Sequence, residues 1–127
     1  MASPKIARDI RDYLVNTVGL TAVGINQMSD TDSYAVIEYP GPTNIKTHGP
    51  TIALDIARLQ IQARHVTGQT ALTNIHAIID ALDGLKDTTI NSTVYQYITE
   101  ISRPRVGERD ETGRVTYFWE VELHARR

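Results

Sequence analysis

Val94-Tyr-Gln-Tyr-Ile-Thr-Glu-Ile101 and Arg114-Val-Thr-Tyr-Phe-Trp-Glu-Val-Glu-Leu-His-Ala125 are two strand-like runs flanking the charged connection Arg103-Pro-Arg-Val-Gly-Glu-Arg-Asp-Glu-Thr-Gly113. In the second run Val115, Tyr117, Trp119, Val121, Leu123 and Ala125 share one parity, while Thr116, Glu120, Glu122 and His124 take the other. A period of two with apolar and polar residues separated in this way is that of a half-buried strand. The two runs predict a sheet carrying a zwitterionic loop. Tyr95, Tyr97, Tyr117 and Trp119 hold strand parity and read as cross-strand core partners rather than a stack for nucleic-acid bases.

Upstream, Leu54 to Val66 gives a third strand in which Ala57, Leu59, Ile61 and Ala63 alternate with Arg58, Gln60, Gln62 and Arg64. Leu54 and Ile56 are out of phase with Leu59, which predicts a bulge or a later strand start near Ile56. Tyr34-Ala-Val-Ile-Glu-Tyr39, closed by Pro40-Gly-Pro42, predicts the first strand. Thr43 to Thr51 contains Gly49-Pro50 without a clear period and reads as an exposed loop.

Two helices complete the pattern. Ser3-Pro4 supplies a cap and a first-turn proline, Ile6, Ile10, Tyr13, Leu14 and Val18 recur at helical spacing, and Gly19 is placed to stop the helix in a left-handed conformation. Thr67 to Thr70 starts the second, with Leu72, Ile75, Ile78, Ile79 and Leu82 in one stripe ended by Asp83-Gly84. Asn91-Ser92 marks an irregularity, and Pro104 limits how far regular pairing continues. The expected architecture is α+β: a single domain over residues 1–127, ordered α-β-β-α-β-β, with a mainly antiparallel four-stranded sheet and two helices on one face. The other face, carrying Arg58, Gln60, Gln62 and Arg64, stays wet unless a partner covers it.

Composition narrows the function classes. At 127 residues the chain suits one domain with a radius of roughly 14 Å. The formal charge of −2, with acids and bases interspersed, lacks the cationic stripe of a DNA-binding protein. Zero cysteines remove disulfides, thiolate metal sites and cysteine nucleophiles, and suit assembly in a reducing cytoplasm. Met-Ala-Ser-Pro-Lys has no apolar signal core behind it and no run approaches the ~20 apolar residues of a membrane span, so a soluble protein is expected.

Reaction chemistry is sparse. His48, His65, His76 and His124 fall on different elements without paired metal-ligand spacing, and neither a nucleophile elbow nor a phosphate-binding loop occurs. Asp30/Asp32 and Asp110/Glu111 lie in turn-rich segments that offer no source for a raised pKa. His76 and Asp80, one helical turn apart, are the remaining candidate pair for a small hydrolase. No catalytic, metal or cofactor site is expected. The Arg103–Arg114 connection has two readings. Arg103, Arg105, Arg109 and Arg114 could pair with Glu108, Asp110 or Glu111 of a neighbouring subunit through bidentate forks, or the same charges could close a solvated hairpin loop internally.

The succession Arg58-Leu-Gln-Ile-Gln-Ala-Arg64, a helix with Ala71 and Ile75 through Leu82, then Pro104-x-x-Gly107-x-x-Asp110-Glu-x-Gly113-Arg114 before a final strand, resembles the minor capsid or tail terminator proteins of long-tailed bacteriophages. The resemblance runs from about Tyr34 to the carboxyl end. It implies a non-enzymatic virion protein at the head–tail junction, assembled in the host bacterial cytoplasm. It also implies a self-assembled ring, usually hexameric, that caps the tail tube and joins it to the connector protein. DNA passes through such a ring without sequence-specific binding, and no membrane or cofactor takes part. Arg58, Gln60, Gln62, Arg64, Arg103, Arg105, Glu108, Arg109, Asp110, Glu111 and Arg114 are then the expected subunit and partner contacts. A connector or stopper component of similar fold is the nearest alternative, and the His76/Asp80 hydrolase the more distant one.

Overall fold

The computed structural model describes residues 6–20, 23–26, 32–39, 44–46, 53–107, 109, 111 and 113–126. Helix α1 (Ile6–Tyr13) continues into a π-helical turn (Leu14–Val18), followed by β1 (Val23–Ile25), β2 (Ser33–Glu38), β3 (Asn44–Lys46) and β4 (Ala53–His65). Then come α2 (Gly68–Leu82), β5 (Lys86–Ile90), β6 (Thr93–Val106) and β7 (Val115–Arg126). The strands form one mixed sheet ordered β1-β2-β4-β7-β6-β5, with β3 paired to β4. A four-stranded, mainly antiparallel α-β-β-α-β-β sheet is therefore incorrect. The seven strands among the described residues include three without a readable apolar period: β1 and β3 have three residues each, and β5 is the polar edge sequence Lys-Asp-Thr-Thr-Ile. β1 also runs parallel to β2, which makes the sheet mixed.

The long strands β4 and β7 form its spine, paired without a break from Leu54↔Arg126 to His65↔Val115. No bulge interrupts β4. The out-of-phase Ile56 pairs with His124 and is turned away from the core, so the parity change reflects an apolar residue on the polar face. Ala57, Leu59, Ile61 and Ala63 meet Leu123, Val121, Trp119 and Tyr117 on the core face. Ile6, Ala7, Ile10 and Leu14 from the first helix and Ile75, Ile78, Ile79 and Leu82 from α2 complete the same cluster. Each fully buried Leu or Ile there contributes about 1.5–3 kcal/mol relative to exposure. Gly19, at φ 88°, ends the first helix as its left-handed cap.

β6 is the irregular strand. Its register against β7 shifts at Tyr95/Tyr97, Glu100/Ser102 and Ser102/Arg105, each shift adding one residue to β6. Bulges of this kind bend a strand and increase its twist. One consequence corrects the expected aromatic core: Tyr95 and Trp119 are buried, but Tyr97 lands opposite His124 on the polar face and is exposed. Regular pairing also continues past Pro104 to Val106, because the proline falls within a bulge. Asn91 and Ser92 both have positive φ and form the tight turn that closes the β5–β6 hairpin at Ile90↔Thr93.

A buried carboxylate ties this hairpin to the first helix. Asp9, 1% exposed, accepts the Tyr95 hydroxyl at 2.5 Å and the Asn91 amide at 3.2 Å. Asn91 also donates to Asp12 at 2.8 Å, and this bond outlasts the opposing effect of desolvation to hold Asp12 below the usual carboxylate range. Trp119 is satisfied in the same way on the core face, its indole donating to Glu100 at 2.8 Å.

Candidate assembly surface

Because β4 and β7 pair in register, the residues between their core positions converge on the opposite face of the sheet. Arg58 lies opposite Glu122, Gln60 opposite Glu120, Gln62 opposite Phe118 and Arg64 opposite Thr116. The bulges in β6 then set Arg105 opposite Phe118 and diagonal to Glu120. Glu120 accepts from Arg105 at 3.1 Å and from the Tyr39 hydroxyl at 3.0 Å, while Gln60 donates to Tyr39 at 3.1 Å and Gln62 to Gln60 at 2.7 Å. Arg64 donates to Thr116 at 3.1 Å, and Arg58 approaches Glu122 at 3.8 Å. Glu122 also meets His124 Nε2 at 3.2 Å, which places the neutral-state proton on Nε2 because a carboxylate only accepts. The result is a continuous zwitterionic layer whose donors and acceptors are already oriented. Desolvation first, then the hydrogen bond and charge of Glu120, raise the Tyr39 phenol above its usual pKa against the opposing Arg105 charge, so it stays a donor.

The loop arginines behave differently. Arg103 pairs with Glu100 at 3.2 Å, Arg109 donates to the carbonyls of Val66 and Gly113, and Arg114 donates to Asp32 at 2.9 Å. Each therefore finds an acceptor in its own chain, outside the expected Glu108, Asp110 and Glu111 set. Glu111 is exposed, and Glu108 and Asp110 lie outside the described residues. Asp32, read from sequence as a solvated turn residue, links three elements: it also accepts the Val66 N–H at 3.1 Å and faces His65 Nε2 at 3.3 Å. Desolvation pushes Asp32 up, but the Arg114 and Val66 hydrogen bonds and the neighbouring charges outweigh it and hold the carboxyl below its usual value.

A family model for "Bacteriophage tail terminator protein" matches residues 14–126. The chain belongs to the bacteriophage tail terminator family. Membership makes it a structural protein of the phage tail. Among solved structures, a chain of "Virion of native gene transfer agent (GTA) particle" superposes with a TM-score of 0.61 at 15% identity, covering 90% of this chain and 84% of that chain. At that identity the likeness is one of fold. Among curated proteins, none matches the chain.

In this terminator-family chain the match spans all of the polar layer on β4, β6 and β7. Sequence reasoning named the β4 half of that layer and Arg105, but missed Tyr39, Glu120 and Glu122 as their partners. The signal was present in the β7 alternation, which already set Glu120, Glu122 and His124 on one parity. His76 and Asp80 lie on the solvent side of α2, both exposed, and a hollow of about 200 Å³ is lined instead by Lys86, Asp87, Gln96 and Tyr97. Among the described residues no group of three His, Asp or Glu side chains could hold a metal ion.

Proposed function

We propose that this protein self-assembles into a ring, a hexamer, that caps the phage tail tube and joins it to the head connector, leaving a passage for DNA. The observation that carries the reading is the zwitterionic layer on β4, β7 and β6, opposite the packed core. Family membership supports the tail role, and the layer supplies a surface suited to association. Its exposed ion pairs contribute only about 0–1 kcal/mol each to folding. Across an interface, complementary charges of this kind steer encounter and fix register.

Ring closure needs a heterologous interface, in which every subunit presents the same two different patches. Arg58, Gln60, Gln62, Arg64 and Arg105 form one such patch with Glu120 and Glu122. Arg103, Arg109, Arg114 and Glu111 border it in our reading, and Arg114 also holds Asp32 within the chain. The partners are further copies, the tail tube protein and the connector protein. Catalysis plays no part, nor does a membrane, and DNA crosses the ring without base-specific contacts.

Added negative charge tests this. Arg58→Glu and Gln62→Glu, made singly, should keep the circular dichroism spectrum and melting temperature of the wild type and abolish ring formation measured by native mass spectrometry. Unchanged rings from both variants would remove the polar layer from the interface.

A further inference from the structure

The outer edge of β6 is covered over only part of its length. β5 pairs with it from Thr93 to Tyr97. Ile98 then donates to Leu85 O at 3.1 Å and accepts from Gly84 at 2.9 Å, and Glu100 N–H reaches the Asp83 carboxylate at 3.1 Å. Beyond that point, among the described residues, no backbone partner meets the outer edge of Ile101–Val106. Gly107 donates to Thr116 O at 2.8 Å, facing β7, so in an antiparallel ladder Val106, one residue back, turns its N–H and C=O outward.

Two of the five exposed large apolar side chains in the described structure lie in this open segment, Ile101 at 40% and Val106 at 57% exposure, and Tyr97 just precedes it under β5. An open, apolar strand edge is a template for strand addition, and Pro104, Arg103 and the bulges are the devices that limit indiscriminate pairing. Arg105 belongs both to this edge and to the polar layer, so the two surfaces are continuous.

We infer that Ile101–Val106 is a strand-addition site occupied by a second copy of this chain, whose β1 edge pairs along it. β1 is the opposite end of the sheet, and among the described strands it pairs only with β2. Its sequence Val23-Gly-Ile25 carries no charge to oppose Arg103 or Arg105. Direction agrees: β1 runs parallel to β2, and three successive antiparallel steps bring β6 to run opposite to β1. A rotation about an axis along the strands preserves that relation, so β6 of one copy and β1 of the next meet as antiparallel neighbours. The two edges differ, as cyclic closure requires. This inference rests on the ring reading and assigns the main-chain contact within it.

The test compares Val106→Pro and Ile101→Lys with wild type by native mass spectrometry, with circular dichroism melts confirming that each variant folds. Val106→Pro removes an N–H that faces away from β7, and both variants should need at least a tenfold higher concentration for half-assembly. In a separate arm Ile101 is replaced by p-benzoylphenylalanine, and photocross-links should map to residues 20–26 of a second copy. Cross-links confined to the tail tube protein, or variants that assemble like wild type, overturn strand addition while leaving the ring intact. A wild type that forms no ring with or without tail tubes removes the ring reading itself.

Discussion

Replacing Tyr95 by Phe deletes one hydroxyl from the fold, and its cost follows from Asp9. That carboxylate is 1% exposed and accepts two donors, Tyr95 at 2.5 Å and Asn91 at 3.2 Å, with Arg8 at 3.9 Å. Tyr95→Phe leaves one buried oxygen without its donor. Loss of a hydrogen bond to a charged group costs about 1.5–3 kcal/mol. For a chain of 127 residues the unfolding entropy makes each kcal/mol worth about 4 °C in melting temperature, so a fall of about 6–11 °C is expected. The pH dependence supplies a second arm. Burial first, then the Asp9 hydrogen bond and charge, raise the Tyr95 pKa in the folded protein, with Arg8 opposing. A raised folded value means that this group's contribution is fully present below the unfolded pKa near 10 and is lost as pH climbs above it. The gap between wild type and Tyr95→Phe should therefore narrow above pH 10, by up to about 1.4 kcal/mol per pH unit. Thermal melts followed by circular dichroism at pH 7 and pH 10.5 read both effects. A fall below about 2 °C at pH 7, with no narrowing at high pH, would refute the clamp between α1 and the β5–β6 hairpin.

Other perturbations follow from the same geometry. Gly107→Ala places a Cβ 2.5 Å from the Phe118 ring, so the ring must turn away, and a loss of about 1–2 kcal/mol is expected in urea unfolding. Gly19→Ala forces a side chain into the left-handed cap at φ 88° and should cost about 1 kcal/mol by the same assay. Asp32 has a lowered folded pKa, so its contribution is present above pH 4 and is lost as acid titrates it; Asp32→Asn should flatten the acid limb of a stability-versus-pH curve. His76→Ala and Asp80→Ala, both on the solvent face of α2, should stay within about 0.5 kcal/mol of wild type in stability and leave ring assembly unchanged.

The long amphipathic elements were legible in the sequence because each carries a clear period. The alternation in Val115–Ala125 and Ala57–Ala63 put the correct residues in the core, and the stripe Ile75, Ile78, Ile79 and Leu82 did the same for α2. β1, β3 and β5 were not legible. A three-residue strand has no period, and β5 at the sheet edge buries only Ile90 of its five residues. The bulges in β6 were equally hidden, since Tyr97 keeps strand parity with Tyr95 while the register shift between them turns it to the polar face. For the candidate surface, sequence identified which side chains face away from the core but not which they pair with. The charged connection drew attention to Glu108, Asp110 and Glu111, whereas among the described residues Arg103, Arg105 and Arg114 also reach Glu100, Glu120 and Asp32, brought close by strand pairing or by the return of a distant segment.

Ring assembly is read by native mass spectrometry of the purified protein, alone and mixed with tail tubes, combined with electron microscopy of the tube ends. A hexamer of the 14.2 kDa chain should be seated as a ring at one end of the tube and be lost in Arg58→Glu. A protein that remains monomeric in both conditions, with bare tube ends, would contradict ring assembly.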